Sequence, residues 1–433
     1  MGSKSDSIIK RDKKVFLSTT REEYNLVVDH GEGDFMYDAD GNKIIDFSTF
    51  ISVYNLGVNA NYEVRSAVKR QVDRLMHAAF TDYYSELPVQ FGESFVKMFP
   101  SGFGKLFLCN SGTEANEAAI KFSKIATKRQ YILAFYNSFH GRSIGSLGLT
   151  ASKAVQRAHF GPFNGVVHVP YPYPYRCLFN HTEGHDCGEA YLEYIRDYIF
   201  KKEIAPEEIA AIFMEPVQGE GGYIVPPKSF VKGIRKIASD NGIMLVADEV
   251  QSGYLRTGKF LALDNFNVTA DMYTMAKSLG GGLPMGATIV KKSFKDLPES
   301  AHGTTFGGNL VAVAAANASL KYVIKNRRRL ESGVRKRSMH AFKVLNEMME
   351  KYEIIGDVRG IGLMIGVELV KDRKTKEPAI KEQQAILKTA LKKGLLLLPC
   401  GTSTIRIIPP ITIREQNLDK GLRIFEEVIK ESS

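Results

Sequence analysis

Three clusters of residues have types and spacing suited to chemistry. The first is Asn110-Ser111-Gly112-Thr113-Glu114-Ala115-Asn116, which follows an apolar run at 105–109 and opens an amphipathic stretch. Free N–H groups at a helix start form an anion cradle, Gly112 permits close backbone approach, and Ser111 with Glu114 matches a capping box. An ordinary helix cap would read the same way. In the second, Val246-Ala247-Asp248-Glu249-Val250-Gln251-Ser252-Gly253, an apolar run ends in two acids. A carboxylate there can pair with a cationic ring nitrogen, hold a metal or cap the next turn. The third, Met275-Ala276-Lys277-Ser278-Leu279-Gly280-Gly281-Gly282, puts a lysine before three glycines. An isolated lysine is ordinarily solvated surface, but one desolvated beside a flexible glycine run suits a Schiff-base amine, because burial lowers its pKa. It is not part of a Gly-x-x-x-x-Gly-Lys-Ser/Thr nucleotide loop.

These clusters need elements to place them. Short apolar runs at 105–109, 131–135, 165–169, 209–214, 243–247, 272–275 and 286–290 alternate with longer amphipathic stretches. Several are nearly continuous in apolar residues, as strands covered on both faces are. The alternation predicts a doubly wound, mostly parallel α/β sheet, whose ligands bind at the carboxyl ends of the strands. All three clusters fall at such ends. Upstream, 32–38 and 43–47 flank Ala39-Asp40-Gly41-Asn42 as a hairpin, and 62–77 predicts a helix with Val64, Ala67, Val68, Val72 and Leu75 on one face. Helical patterns dominate 310–349, and strands at 362–369 and 405–408 with helices between them predict a smaller α+β domain. The expected division is 1–60 and 316–433 in the small domain and 61–315 in the large one.

A length of 433 residues suits two or three packed units. With 44% hydrophobic and 24% charged residues the chain is neither disordered nor fibrous, and no apolar run approaches the roughly 18–20 residues that cross a bilayer. The net charge of +10 favours anionic ligands, but the basic residues are scattered. Their densest cluster, 325–329 with 335–337, lies among Leu330, Val334 and Leu345 at helical spacing, as on a solvated helix face rather than a nucleic-acid surface. The first 14 residues are polar and basic with no apolar core, and Asp6 stands where a myristoylation signal wants Ser or Thr, so a cytoplasmic protein is expected. Four cysteines make no disulfide framework. Cys109 and Cys400 read as core residues. Cys177, His181, His185 and Cys187 share one loop that could bind zinc, close a local disulfide or stay free on a surface insertion. The spacing matches no standard zinc finger, and the expectation is no tightly held metal.

A phosphate cradle, an acid for a pyridinium nitrogen and a lysine for an aldehyde are together what pyridoxal 5'-phosphate (PLP) requires. The segments at 110–116, Phe139-His140-Gly141-Arg142, Glu215-Pro-Val-Gln-Gly-Glu-Gly-Gly222, 248–251, 277–282 and Thr304-Thr305-Phe306-Gly307-Gly308-Asn309 resemble, in order and spacing, the class III aminotransferases of the fold-type I PLP enzymes, which include 4-aminobutyrate and ornithine aminotransferases. The resemblance runs from about Asp34 to the C-terminus. It implies that Lys277 forms the Schiff base and shuttles a proton, and that Asp248 keeps the ring nitrogen protonated. Gln251 would contact the phenolic oxygen, Phe139 stack on the ring with His140 beside it, and Ser111, Gly112 and Thr113 hold the phosphate. Thr305 resembles the residue that reaches the phosphate of the neighbouring subunit, which implies a homodimer with shared active sites.

The resemblance also implies a substrate site. Arg406 resembles the arginine that binds an α-carboxylate bidentately, and Arg142 the one that grips a distal carboxylate. Glu215 is matched to the carboxylate that neutralises Arg406 when a substrate has no α-carboxylate, and Ile51 to an apolar substrate contact. The implied activity is transfer of an amino group from an ω-amino acid such as 4-aminobutyrate to 2-oxoglutarate by a ping-pong mechanism. The run Val169-Pro-Tyr-Pro-Tyr-Pro-Tyr-Arg176 and the cysteine loop after it resemble a prokaryotic, especially archaeal, branch that also contains amino-acid racemases. A racemase and a non-catalytic basic binding protein are the competing readings; intact Lys277, Asp248 and Gln251 argue against the latter.

Overall fold

The apolar runs between 103 and 291 assemble into one seven-stranded sheet in the order Phe103–Cys109, Gly286–Lys291, Met272–Met275, Met244–Asp248, Ile209–Met214, Tyr131–Phe135 and Val166–Val169. This computed structural model describes residues 2–19, 24–59, 61–179 and 186–432. Gly286–Lys291 runs antiparallel to both neighbours, and the strands from Met272–Met275 to Val166–Val169 pair in parallel. The interior strand Ile209–Met214 is buried at every position, which accounts for its unbroken apolar sequence. Helix Gly112–Thr127 covers one face, burying Ala115, Ala118, Ala119 and Phe122.

A second core holds the two ends of the chain together. Leu395–Leu396 pairs in parallel with Lys43–Asp46, so an N-terminal hairpin and a C-terminal strand share a sheet. Beside it lies a sheet ordered Ile355–Ile361, Met364–Asp372, Thr404–Ile407 and Leu398–Cys400. The 42-residue helix Leu310–Lys351 joins both cores: Val313, Ala316, Leu320, Val323 and Val334 pack in the first, Ala341, Leu345 and Met348 in the second. No helix among the described residues is long and apolar enough to cross a membrane.

Some sequence expectations need correction. The stretch 32–38 is not one strand, because the chain reverses at Gly33, with φ of 60°, between Val28–Glu32 and Phe35–Asp38. The helix expected over 62–77 ends at Arg74, and none of its residues is fully buried in this chain. Cys187 is not on a surface insertion but within the large core, where burial and the neighbouring Cys177 push its thiol up to about 12. Neither Cys177 nor Cys187 is in a disulfide, and His181 and His185 lie outside the described residues. Cys109 and Cys400 are buried, as read from their apolar surroundings.

Candidate active site

The carboxyl ends of four parallel strands meet a cavity of about 530 Å³ lined by Gly112, Thr113, Phe139, Arg142, Glu215, Asp248, Gln251 and Lys277, among others. Asp248 ends Met244–Asp248 and is 4% exposed. Its Oδ2 accepts from Asn116 Nδ2 at 2.8 Å and meets His140 Nδ1 at 2.8 Å, while Oδ1 accepts from the Val250 amide at 3.0 Å. Burial by itself would raise its pKa; the bonds to His140, Asn116 and Val250 outweigh that and hold it below the usual carboxylate range. His140, opposed by the same burial, is raised by its bond to Asp248. A carboxylate kept ionised at the floor of a cavity is a partner for a cationic ring nitrogen. Asn116 is thus a site residue that sequence reasoning quoted but did not assign: it also donates to the His140 carbonyl at 2.7 Å and accepts from Thr274 Oγ1 at 2.8 Å.

Lys277 follows the end of Met272–Met275 with φ of 50°, a left-handed backbone that costs a non-glycine residue energy and recurs at functional sites. Burial lowers its pKa, against the pull of Asp248 and Glu215. That raises the neutral fraction of a nucleophilic amine. At the far end, Ser111 caps Gly112–Thr127 by accepting from the Glu114 amide at 3.3 Å, and the Glu114 carboxylate reaches back to the Asn110 amide at 2.5 Å. A Cβ on Gly112 would lie 2.9 Å from a Val250 methyl, so glycine lets this helix start close against the cavity wall. An amine, a buried carboxylate, an aromatic face at Phe139 and a helix N-terminus around one cavity fit the aldehyde, ring and phosphate of PLP.

The substrate side differs from expectation. Arg406, 4% exposed, pairs not with Glu215 but with Glu220, and donates from Nε to the Pro399 carbonyl at 2.8 Å. Glu215 is committed elsewhere: its carboxylate accepts from the Phe139 amide at 2.8 Å and the Gly219 amide at 2.9 Å. Burial, opposed by His140 and reinforced by Asp248, raises it to about 7. Both glutamates stand in one glycine-rich motif, and only the contact with Arg406, far along the chain, separates them. Arg142 lines the cavity with its guanidinium 5.5 Å from the Phe139 ring. Gln251 accepts from the Tyr223 hydroxyl at 2.7 Å, and Tyr223 stands 5.8 Å from the Arg406 guanidinium.

Three predicted residues do not line the cavity: Arg406, which stands beside it, and Ile51 and Thr305. Thr49 to Ser52 form a left-handed turn, with φ from 43° to 65°, held by the buried groups Asp46 and Arg256. That turn places Ile51, 40% exposed, in a neighbouring groove under the N-terminal helix, and Val53 takes the cavity wall instead. Thr305 is exposed.

The class-III aminotransferase family model matches residues 17–429. A leucine/methionine racemase of Thermococcus litoralis is 37% identical over 98% of this chain and 96% of its own length. A 5-aminovalerate aminotransferase of Pseudomonas aeruginosa is 36% identical over the whole of both chains. Among solved structures, taurine:2-oxoglutarate aminotransferase from Bifidobacterium kashiwanohense, in complex with PLP and glutamate, superposes with a TM-score of 0.91 at 26% identity, covering 100% of this chain and 98% of that one. A family model spanning nearly the whole chain, and a site fitted to the cofactor held by a structural neighbour, lead to one conclusion: the chain belongs to the class-III aminotransferases, PLP-dependent enzymes of fold type I.

Proposed function

We propose that the enzyme transfers the amino group of an ω-amino acid, of the 4-aminobutyrate or 5-aminovalerate kind, to 2-oxoglutarate by a ping-pong mechanism. The observation that carries this reading is the pairing of buried Arg406 with the half-buried Glu220 beside the lysine cavity. An α-carboxylate can claim Arg406 only by displacing Glu220, whereas a donor without one leaves the pair closed. PLP, when bound, supplies an aldehyde for the donor amine and an electron-accepting ring. The chain supplies the rest. Lys277 would hold the aldehyde and, once freed by the donor amine, accept the proton of the donor carbon, Asp248 would offer its negative charge to the ring nitrogen, and Arg142 would orient a distal carboxylate.

The test is a single-turnover reaction with each donor alone. Glu220→Gln is expected to impair the 4-aminobutyrate half-reaction about tenfold or more, because an uncompensated Arg406 is left buried, and to spare the glutamate half-reaction. Glu215→Gln is expected to affect both alike. Equal losses for Glu220→Gln would remove the switch.

The racemase relative, 37% identical over nearly the full length, favours one second reading: an amino-acid racemase on the same scaffold. Loss of chirality in an apolar α-amino acid incubated without keto acid would establish it. We also propose that the enzyme is a homodimer in which each copy's Thr305 reaches the other's phosphate site. Thr305 is exposed, and Leu75, Met76, Tyr84 and Phe306 form exposed apolar surface beside it, with the His77 and Phe306 rings 4.9 Å apart. Co-expressed Lys277→Ala and Thr305→Ala chains are expected to exceed the activity of either variant alone, since a hybrid dimer holds one intact site. No gain on mixing would mean that each copy uses its own Thr305.

A further inference from the structure

Glu220 has a second cation. Its Oε2 meets Arg406, and its Oε1 lies 3.0 Å from Lys153 Nζ, so one carboxylate bridges a buried guanidinium and an ammonium whose side chain is 40% exposed. The backbones on both sides are fixed. Glu220 O accepts from the Gly401 amide at 2.7 Å, and the 220–222 turn lies so close to the Asn137 carbonyl that a Cβ on Gly221 would approach it to 2.4 Å. On the lysine side, Ala151 exchanges backbone hydrogen bonds with Ser138 and Asn137 at 2.9 and 3.1 Å, two residues before Lys153. The Glu220 main chain is therefore fixed, so any release of Arg406 must come from a turn of its side chain, and Lys153 already holds one of its oxygens.

From this bridge we infer that Lys153 is a positioning residue that sets substrate specificity: it retains Glu220 when a substrate α-carboxylate takes Arg406. The inference rests on the substrate switch proposed above. In the closed arrangement the attraction of Lys153 for Glu220 is offset by its repulsion from Arg406, both cations being on one carboxylate. Once a substrate carboxylate neutralises Arg406, the attraction acts unopposed. Lys153 thus stabilises the open arrangement more than the closed one, and only such a difference can shift the balance between them. A glutamate released from Arg406 with no cation to receive it would be a stranded, largely desolvated charge. With Lys153 in place, one cavity serves donors lacking an α-carboxylate and acceptors carrying one.

The experiment compares the wild-type holoenzyme with Lys153→Met, which keeps the length of the stem, and Lys153→Arg, which keeps the charge. The readouts are the Kd of 2-oxoglutarate by calorimetry without donor, and single-turnover kinetics with glutamate and with 4-aminobutyrate separately. Lys153→Met is expected to raise the Kd of 2-oxoglutarate and the KM for glutamate about tenfold with kcat little changed, to move the KM for 4-aminobutyrate less than twofold, and to be rescued by Lys153→Arg. An unchanged Kd, or equal losses with both donors, would overturn the inference. Should wild-type enzyme react with neither 4-aminobutyrate nor 5-aminovalerate, the proposed ω-amino donor fails on that result, and the Kd of 2-oxoglutarate in the three proteins still decides the part played by Lys153.

Discussion

Lys277→Ala is expected to lower turnover by about 10³-fold or more, because on the proposed mechanism the change removes both the covalent anchor and the group that moves the proton. The borohydride-fixable visible absorbance of the holoenzyme should disappear with it. The fold should persist, since the lysine is a strained, partly desolvated residue rather than a packing one. The sign of the stability effect follows from its pKa, which burial holds below the ordinary 10.5 against the pull of Asp248 and Glu215. A base with a depressed pKa binds fewer protons folded than unfolded, so its stability contribution is fully present above pH 10.5 and is lost as pH falls towards the lowered value. At neutral pH the cofactor-free variant should therefore equal or exceed wild type in urea unfolding, with any gap narrowing near pH 10. A variant less stable at pH 7 would mean that the ion pairing of Lys277 outweighs its desolvation. Near-wild-type turnover would remove Lys277 from the site altogether.

How much of this was readable from sequence depends on the range of the interaction that decides each residue. Lys277 and Asp248 stand at the ends of short apolar strands, and strand ends are local patterns, so both are found where expected. The cap at Ser111 is local in the same way. Glu215 and Glu220 are five residues apart in one motif, and what separates their roles is Arg406, which a strand of the second core carries in from the other end of the chain. Nothing within the motif encodes that contact. Ile51 lies in a neighbouring groove because four successive non-glycine residues adopt left-handed backbone, a conformation held by buried groups as distant as Arg256 and the Ile408 carbonyl. The stripe on Tyr62–Arg74 was correctly seen as apolar and periodic. Periodicity says that such a face needs cover, not that the same chain provides it.

The remaining large effect falls on Asp248, where geometry and charge can be separated. Asp248→Asn keeps the shape of the side chain and one carbonyl oxygen, but it removes the charge that His140 and Asn116 hold in place at 2.8 Å. The new amide must also direct N–H groups towards donors. Turnover is expected to fall by about 10²–10³-fold, as when one pre-oriented electrostatic partner of the transition state is lost, while the cofactor stays bound through Lys277 and the helix N-terminus. The variant offers a second readout besides rate. His140 is buried, which lowers its pKa, and the bond to Asp248 raises it, so removing the charge should shift the imidazole pKa downwards. Its ring NMR signals should then titrate at lower pH than those of wild type. Asn116→Ala provides the comparison, because it deletes one of the bonds holding the carboxylate and leaves the charge, and it should cost less than Asp248→Asn. If Asp248→Asn matched wild type in rate, the carboxylate would be a structural partner of His140 and the ring nitrogen would need another acid. If the two variants lost activity equally, orientation of the carboxylate rather than its charge would be the contribution that matters.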